Sequence, residues 1–154
     1  MSQNDDKQNR RENQIEIVFD QHYSVLTIAN LVLRSSPNMF QKRLVSGDCW
    51  TWGREIASNI AEGRIAAMAV FTMSPRILNY LANKTPGVRA VVVSSTREIE
   101  LSAYELNPNM FITEMYDRTL YEVLFLLRTL QQYPDRATNP KVPHYQEYDI
   151  RANR

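Results

Sequence analysis

The chain has one cysteine, two histidines, almost no net charge and no long apolar run, and each shortage removes a class of explanation. A lone Cys49 cannot staple the fold within one chain, and no Cys/His cluster has the spacing of a zinc site. No metal and no cofactor are therefore expected, and a reducing compartment fits. Eighteen Lys and Arg against seventeen Asp and Glu leave a formal charge of +1. That balance creates no field to gather nucleic acid or anionic lipid, so a partner must be recognised by a local site. Nowhere do about eighteen apolar residues run together, and the opening MSQNDDKQNRRENQ has no apolar signal core. Neither membrane spanning nor secretion is indicated, and a cytoplasmic protein is expected.

What is present suits one folded domain. The 154 residues are 44% hydrophobic and 23% charged, enough for a single core and too short for two comfortable ones. Residues 1–14 are almost wholly polar and aperiodic, which reads as a disordered or partner-dependent arm. Its Lys7, Arg10 and Arg11 are interleaved with Asp5, Asp6 and Glu12, the pattern of a solvated tail rather than a nucleic-acid arm. The predicted α/β domain covers 15–133, and 134–154 form an extended C-terminal tail.

Within the domain, short β-branched runs alternate with helical patterns. Predicted strand–helix pairs are Ile15–Phe19 with Tyr23–Leu33, Leu44–Val45 with Trp52–Glu62, and Ile65–Phe71 with Pro75–Asn83. Val88–Val93 with Arg97–Leu106 and Met110–Thr113 with Arg118–Gln132 complete five pairs. Continuous apolar strands such as VRAVVV, each followed by a helix, imply a parallel sheet covered on both faces. The predicted fold class is a Rossmann-like three-layer α/β/α sandwich with a five-stranded parallel sheet. Gly63 suits a left-handed helix end, Ser74-Pro75 an N-cap and first turn, and Ser95 to Glu98 a capping box.

The last helix is apolar nearly all round. Leu120, Val123, Leu124, Leu127 and Leu130 make one stripe, with Tyr121, Phe125 and Leu126 beside or behind it. A second contact surface is expected there, most simply a homodimer interface. Alternatively the tail from Tyr133, carrying Tyr145, Tyr148 and Ile150, folds back over it.

Sheets of this class bind ligands at the carboxyl ends of their strands, so the loops after Phe19, Phe71, Val93 and Thr113 carry the functional signal. The run ANKTPGVRAVVV (Ala82–Val93) resembles the ANK-x-PG-x-RA segment of ribose-5-phosphate isomerase B and the related galactose-6-phosphate isomerase subunits. YELNPNMFI (Tyr104–Ile112) resembles the same family's EHNDANVL. The resemblance runs in element order over roughly Ile15 to Gln132, with motif support from Ile65 to Ile112. It implies an aldose–ketose isomerase acting on a pentose or hexose phosphate, in which a base removes a proton beside a carbonyl.

The catalytic residues departed from that pattern. In the family a Cys, or in some members a nearby Glu, is the base of a glycine-rich CGTGIG loop; here the loop reads Thr72, Met73, Ser74, Pro75, Arg76, Ile77, and Leu78 stands at the Glu position. An unassisted Thr hydroxyl is too weak an acid to ionise near neutral pH, and no base lies beside Thr72 in sequence. Met73 and Ile77 fill glycine positions, and Pro75 deletes an amide donor. The family's ring-opening His is matched by Leu106; the following Asn107 is retained. Asp20 falls at the Asp of the family's Asp-His loop, with His22 as a displaced partner, and these two join Thr72 and Ser74 as catalytic candidates.

Binding survives these changes more readily than chemistry. Asp20, Thr72, Ser74, Arg76 and Asn107 are the ligand-binding candidates, with the start of the Pro75 helix favouring a phosphate or carboxylate. Arg128 and Arg136 are further basic candidates that no motif assigns. The expectation is a catalytically altered or inactive homologue binding a phosphorylated sugar or related anion. Two alternatives stand beside it: the non-Cys subunit of an active assembly with a related isomerase subunit, and an interaction module with a closed cleft. Cys49, between Trp50 and Asp48, reads as a packed thiol; Trp50 and Trp52 read as packing residues rather than a sugar platform.

Overall fold

The computed structural model describes residues 15–35 and 41–130. The N-terminal arm, the tail from 134 with Arg136, and the last residues of the predicted final helix lie outside them. Five parallel strands alternate with five helices: β1 Ile15–Asp20, α1 Tyr23–Ser35, β2 Gln41–Val45, α2 Cys49–Ala61, β3 Ala67–Thr72, α3 Pro75–Lys84, β4 Ala90–Val92, α4 Thr96–Glu105, β5 Met110–Glu114 and α5 Leu120–Leu130. The sheet order is β2-β1-β3-β5-β4. This is the Rossmann-like three-layer sandwich expected from the alternation.

Strand alternation assigns the two faces. Ile15, Ile17, Phe19, Ala69, Phe71 and Phe111 point toward one side, where they pack with Val25 and Ala29 of α1, Ile99 of α4 and Val123, Leu127 and Leu130 of α5. Val18, Met68, Val70, Met110 and Ile112 point the other way, onto Trp52, Ile56 and Ile60 of α2 and Leu78 and Ala82 of α3. The Phe19 and Phe71 rings stack across β1 and β3, with centroids 5.3 Å apart. Gly53 brings α2 and α3 together: a Cβ there would stand 3.1 Å from a Leu81 methyl.

Several boundaries differ from expectation for local reasons. Helix α2 starts at Cys49 rather than Trp52 because Asp48 caps it, its side chain accepting from the Trp50 amide. Strand β4 is shorter than Val88–Val93, since a turn closes from the Val88 amide to the Thr85 carbonyl. Gly63 and Gly87 take the left-handed conformations, φ +72 and +83, that suit glycine after a helix and in a Pro-Gly turn. Ser74 occupies the N-cap position of α3 but makes no side-chain capping bond. Ser95 caps α4, its hydroxyl accepting from the Glu98 amide, and the Glu98 carboxylate accepts chiefly from Ser94. Leu126 lies beside the stripe on the buried side of α5; Tyr121 and Phe125 are the exposed pair, at 76% and 59%.

One buried charge crosses the sheet. Glu16 of β1 is 1% exposed and forms an ion pair with Arg43 of β2 at 2.9 Å. Burial pushes its carboxyl above the usual range, and Arg43 opposes that shift. No helix among the described residues is long and apolar enough to cross a membrane.

Candidate functional site at the carboxyl edge

The strand order reverses direction between β1 and β3. From β1 the chain departs through α1 on one face toward β2; from β3 it departs through α3 on the other face toward β4. A crevice at the carboxyl ends of these neighbouring strands follows from that divergence. The last residues of β1 and β3, Asp20 and Thr72, stand side by side in it.

Their side chains are bonded. Thr72 Oγ1 donates to Asp20 Oδ2 at 2.9 Å and accepts from the Ser74 amide at 3.0 Å. The Met73 amide reaches the same carboxylate oxygen at 3.4 Å. Thr72 is fully buried, while Asp20 is partly open. A chain of contacts thus runs from the start of α3 through a hydroxyl to a carboxylate fifty-two residues away in sequence. This is the group that reading the loop alone missed: the proton acceptor beside Thr72 comes from another strand. The sequence signals for it were the family resemblance, which already made Asp20 a candidate, and the fact that Asp20 and Thr72 both end apolar strand runs.

Cys49 closes the crevice floor from α2. Its thiol approaches the Ser74 carbonyl at 3.9 Å, and burial, followed by the charges of Asp20 and Asp48, pushes its pKa up to about 12. It stays protonated at neutral pH and cannot serve as a thiolate. Arg76, in the first turn of α3, is exposed, and Ser74 is partly open beside it. The hydroxyl of Ser74 is not engaged in capping, and it and Arg76 both lie at the positive end of the helix. The donors at Thr72, Met73 and Ser74 N are instead committed to the internal chain.

The remaining candidates separate. His22 follows β1 and is partly buried; its carbonyl accepts from the Val25 and Leu26 amides to start α1. Asn107 precedes β5, at the opposite end of the sheet from Asp20 and Thr72, so one chain does not bring it to the crevice. It is buried with φ +44, and its carbonyl accepts from Arg89 Nε at 2.9 Å. Trp50 is exposed and meets Tyr80 edge to face, whereas Trp52 is buried in the core with its indole nitrogen unpartnered. Among the described residues no group of three or more His, Cys, Asp or Glu is arranged to hold a metal.

Sheet order and helix placement define a doubly wound α/β protein whose switch point lies between β1 and β3. No protein-family model matches the chain, and no curated protein matches it in sequence. Solved structures do match it in fold. The type B ribose 5-phosphate isomerase of Trypanosoma cruzi superposes with a TM-score of 0.70 at 16% identity, over 90% of this chain and 99% of that one. Ribose-5-phosphate isomerase B of Clostridium thermocellum gives 0.65 at 17% identity, over 90% and 99%. The Mycoplasma genitalium enzyme, solved with bound ribulose-5-phosphate, gives 0.63 at 15% identity, over 77% and 84%. The fold of this chain is that of the type B ribose-5-phosphate isomerases.

Proposed function

We propose that this chain is a diverged member of the sugar-phosphate isomerase family that binds a phosphorylated sugar in the β1/β3 crevice, with chemistry altered from the family's. The observation that carries this reading is the Asp20–Thr72–Ser74 chain, which keeps a polar, partly open site at the switch point while replacing the loop's Cys and glycines. Its support is the fold shared with isomerases, one of which holds ribulose-5-phosphate. In this reading Ser74 and Arg76 take the phosphate at the start of α3, and Asp20 faces the sugar's hydroxyl and carbonyl groups. A ligand that binds only the folded state raises its melting temperature. Ribose 5-phosphate and ribulose 5-phosphate are expected to raise it more than inorganic phosphate does. No shift from either sugar phosphate at millimolar concentration, with the protein folded, would favour an interaction module with a closed cleft.

The exposed aromatics of α5 support a second component, self-association as a homodimer through Tyr121 and Phe125. A related isomerase subunit is the competing occupant of that face. Sedimentation of the purified chain tests the first, with a dimer expected; a monomer that sediments as a pair only with a co-purified Cys-loop paralogue would establish the second.

A further inference from the structure

We infer that Asp20 is the proton-transfer base of the crevice and that it acts on open-chain ketose phosphates. This deepens the sugar-phosphate reading and rests on it. The geometry singles out the carboxylate. Asp20 ends a central strand, with Oδ2 fixed by the buried Thr72 hydroxyl and by the Met73 amide. Both hydrogen bonds fall on that one oxygen, so the lone pairs of Oδ1 face the partly open side. A carboxylate held by one oxygen and presenting the other is arranged to remove a proton from carbon next to a carbonyl.

The neighbouring groups do not compete for the task. Thr72 gives its proton to Asp20 and its lone pair to the Ser74 amide, which makes it a positioning residue. The Cys49 thiol is buried against the Ser74 carbonyl and stays protonated. Helices α2 and α3 both begin at this edge, so their positive ends favour the added negative charge of an enediolate.

The substrate class follows from what the crevice lacks. Opening a sugar ring moves a proton between the anomeric hydroxyl and the ring oxygen, which requires an acid–base group placed at that oxygen. Leu106 carries no such group and precedes β5 at the far end of the sheet. A five-carbon ketose phosphorylated on C5 has no free hydroxyl there to close a five-membered ring, so it arrives open. In the step, Asp20 takes a proton from C1 and the C–H electron pair forms the C1–C2 double bond. The carbonyl pair moves to O2, giving the enediolate. Return of the proton to C1 restores the ketose; delivery to C2, with the O1 proton passing to O2, gives the aldose. No other reactant is consumed.

The test follows ribulose 5-phosphate with the full chain in deuterium oxide, measuring loss of the C1 proton signal by NMR and binding by thermal shift. Wash-out above the buffer rate is expected. Asp20→Asn should lower it by about 100-fold or more while keeping the thermal shift. Thr72→Val should lower the rate at saturating sugar with little change in affinity, and Thr72→Ser should restore most of it. A thermal shift without wash-out, or Asp20→Asn exchanging at the wild-type rate, overturns the assignment of the base and leaves the binding reading standing. No thermal shift overturns both. Should Asp20→Asn fail to fold, the Thr72 pair decides: equal rates in the Val and Ser variants contradict the assignment.

Discussion

At the amino ends of β4 and β5, Asn83, Arg89 and Asn109 tie backbone to backbone. Asn83 bonds both the amide and the carbonyl of Ala90, at 2.9 and 3.0 Å, acting as a short substitute strand. Asn109 accepts from the Arg89 amide at 2.7 Å and donates to the Gly87 carbonyl at 2.9 Å, while Arg89 reaches the Asn107 carbonyl. At the carboxyl ends of β1 and β3 the side-chain bonds are fewer, centre on Asp20 and Thr72, and leave Asp20, Ser74 and Arg76 partly or fully open. One end satisfies buried backbone groups; the other keeps polar atoms available. The ANKTPGVRA segment lies at the first end, so the residues that most resemble the isomerases build the scaffold, and the rewritten loop lies where chemistry is done.

The contrast predicts unequal costs. Asn109→Ala removes the partner of the part-buried Arg89 amide and of the Gly87 carbonyl, and should lower stability by about 1–3 kcal/mol in urea unfolding, the range of two net hydrogen bonds. A loss below about 1 kcal/mol would break the scaffold half of the comparison. Arg43→Met removes the partner of buried Glu16 and should cost about 2–3 kcal/mol, allowing for the partial exposure of Arg43. The double variant Glu16→Leu, Arg43→Met should recover most of that loss.

Glu16 also sets a pH dependence. Its folded pKa is raised above the ordinary glutamate value of 4.5, so the folded state holds more protons than the unfolded state in the window just above 4.5. Its penalty is fully present above the folded pKa and is relieved as pH falls through it toward 4.5. In Glu16→Gln this component of the stability–pH curve should vanish; an unchanged curve would contradict the assignment.

How far these features could be read in advance depended on their range. All five strand–helix pairs were legible from apolar runs and punctuation, because the central strands β1, β3 and β5 are buried on both faces and the helices between them pack on the sheet. Boundaries slipped where a side chain decided them: Asp48 extended α2, and the Asn109 and Thr85 contacts shortened the run around Val88–Val93. The Asp20–Thr72 pairing was not legible, since strand adjacency between β1 and β3 is set by the order in which helices cross the sheet. For the same reason Asn107, close to the motif in sequence, was grouped with a crevice at the other end of the fold.

Smaller effects sharpen the carboxyl end. Asp20→Asn and Thr72→Val should each cost less than about 1.5 kcal/mol, the range of one net hydrogen bond, because this end is not the scaffold. Losses as large as that of Asn109→Ala would erase the contrast. Cys49, its pKa pushed up to about 12 by burial, should react with iodoacetamide in the folded protein at about pH 8 roughly 1,000-fold more slowly than free cysteine. Labelling at the free rate would place the thiol in solvent.

The most direct measurement of the crevice as a sugar-phosphate site is calorimetric titration of ribulose 5-phosphate into the wild-type chain and into Arg76→Ala. A charged hydrogen bond of about 1.5–3 kcal/mol corresponds to at least about a tenfold change in affinity. Saturable binding that weakens by that factor in the variant is the predicted result. Binding of equal strength in both proteins, or none in either, would contradict the account.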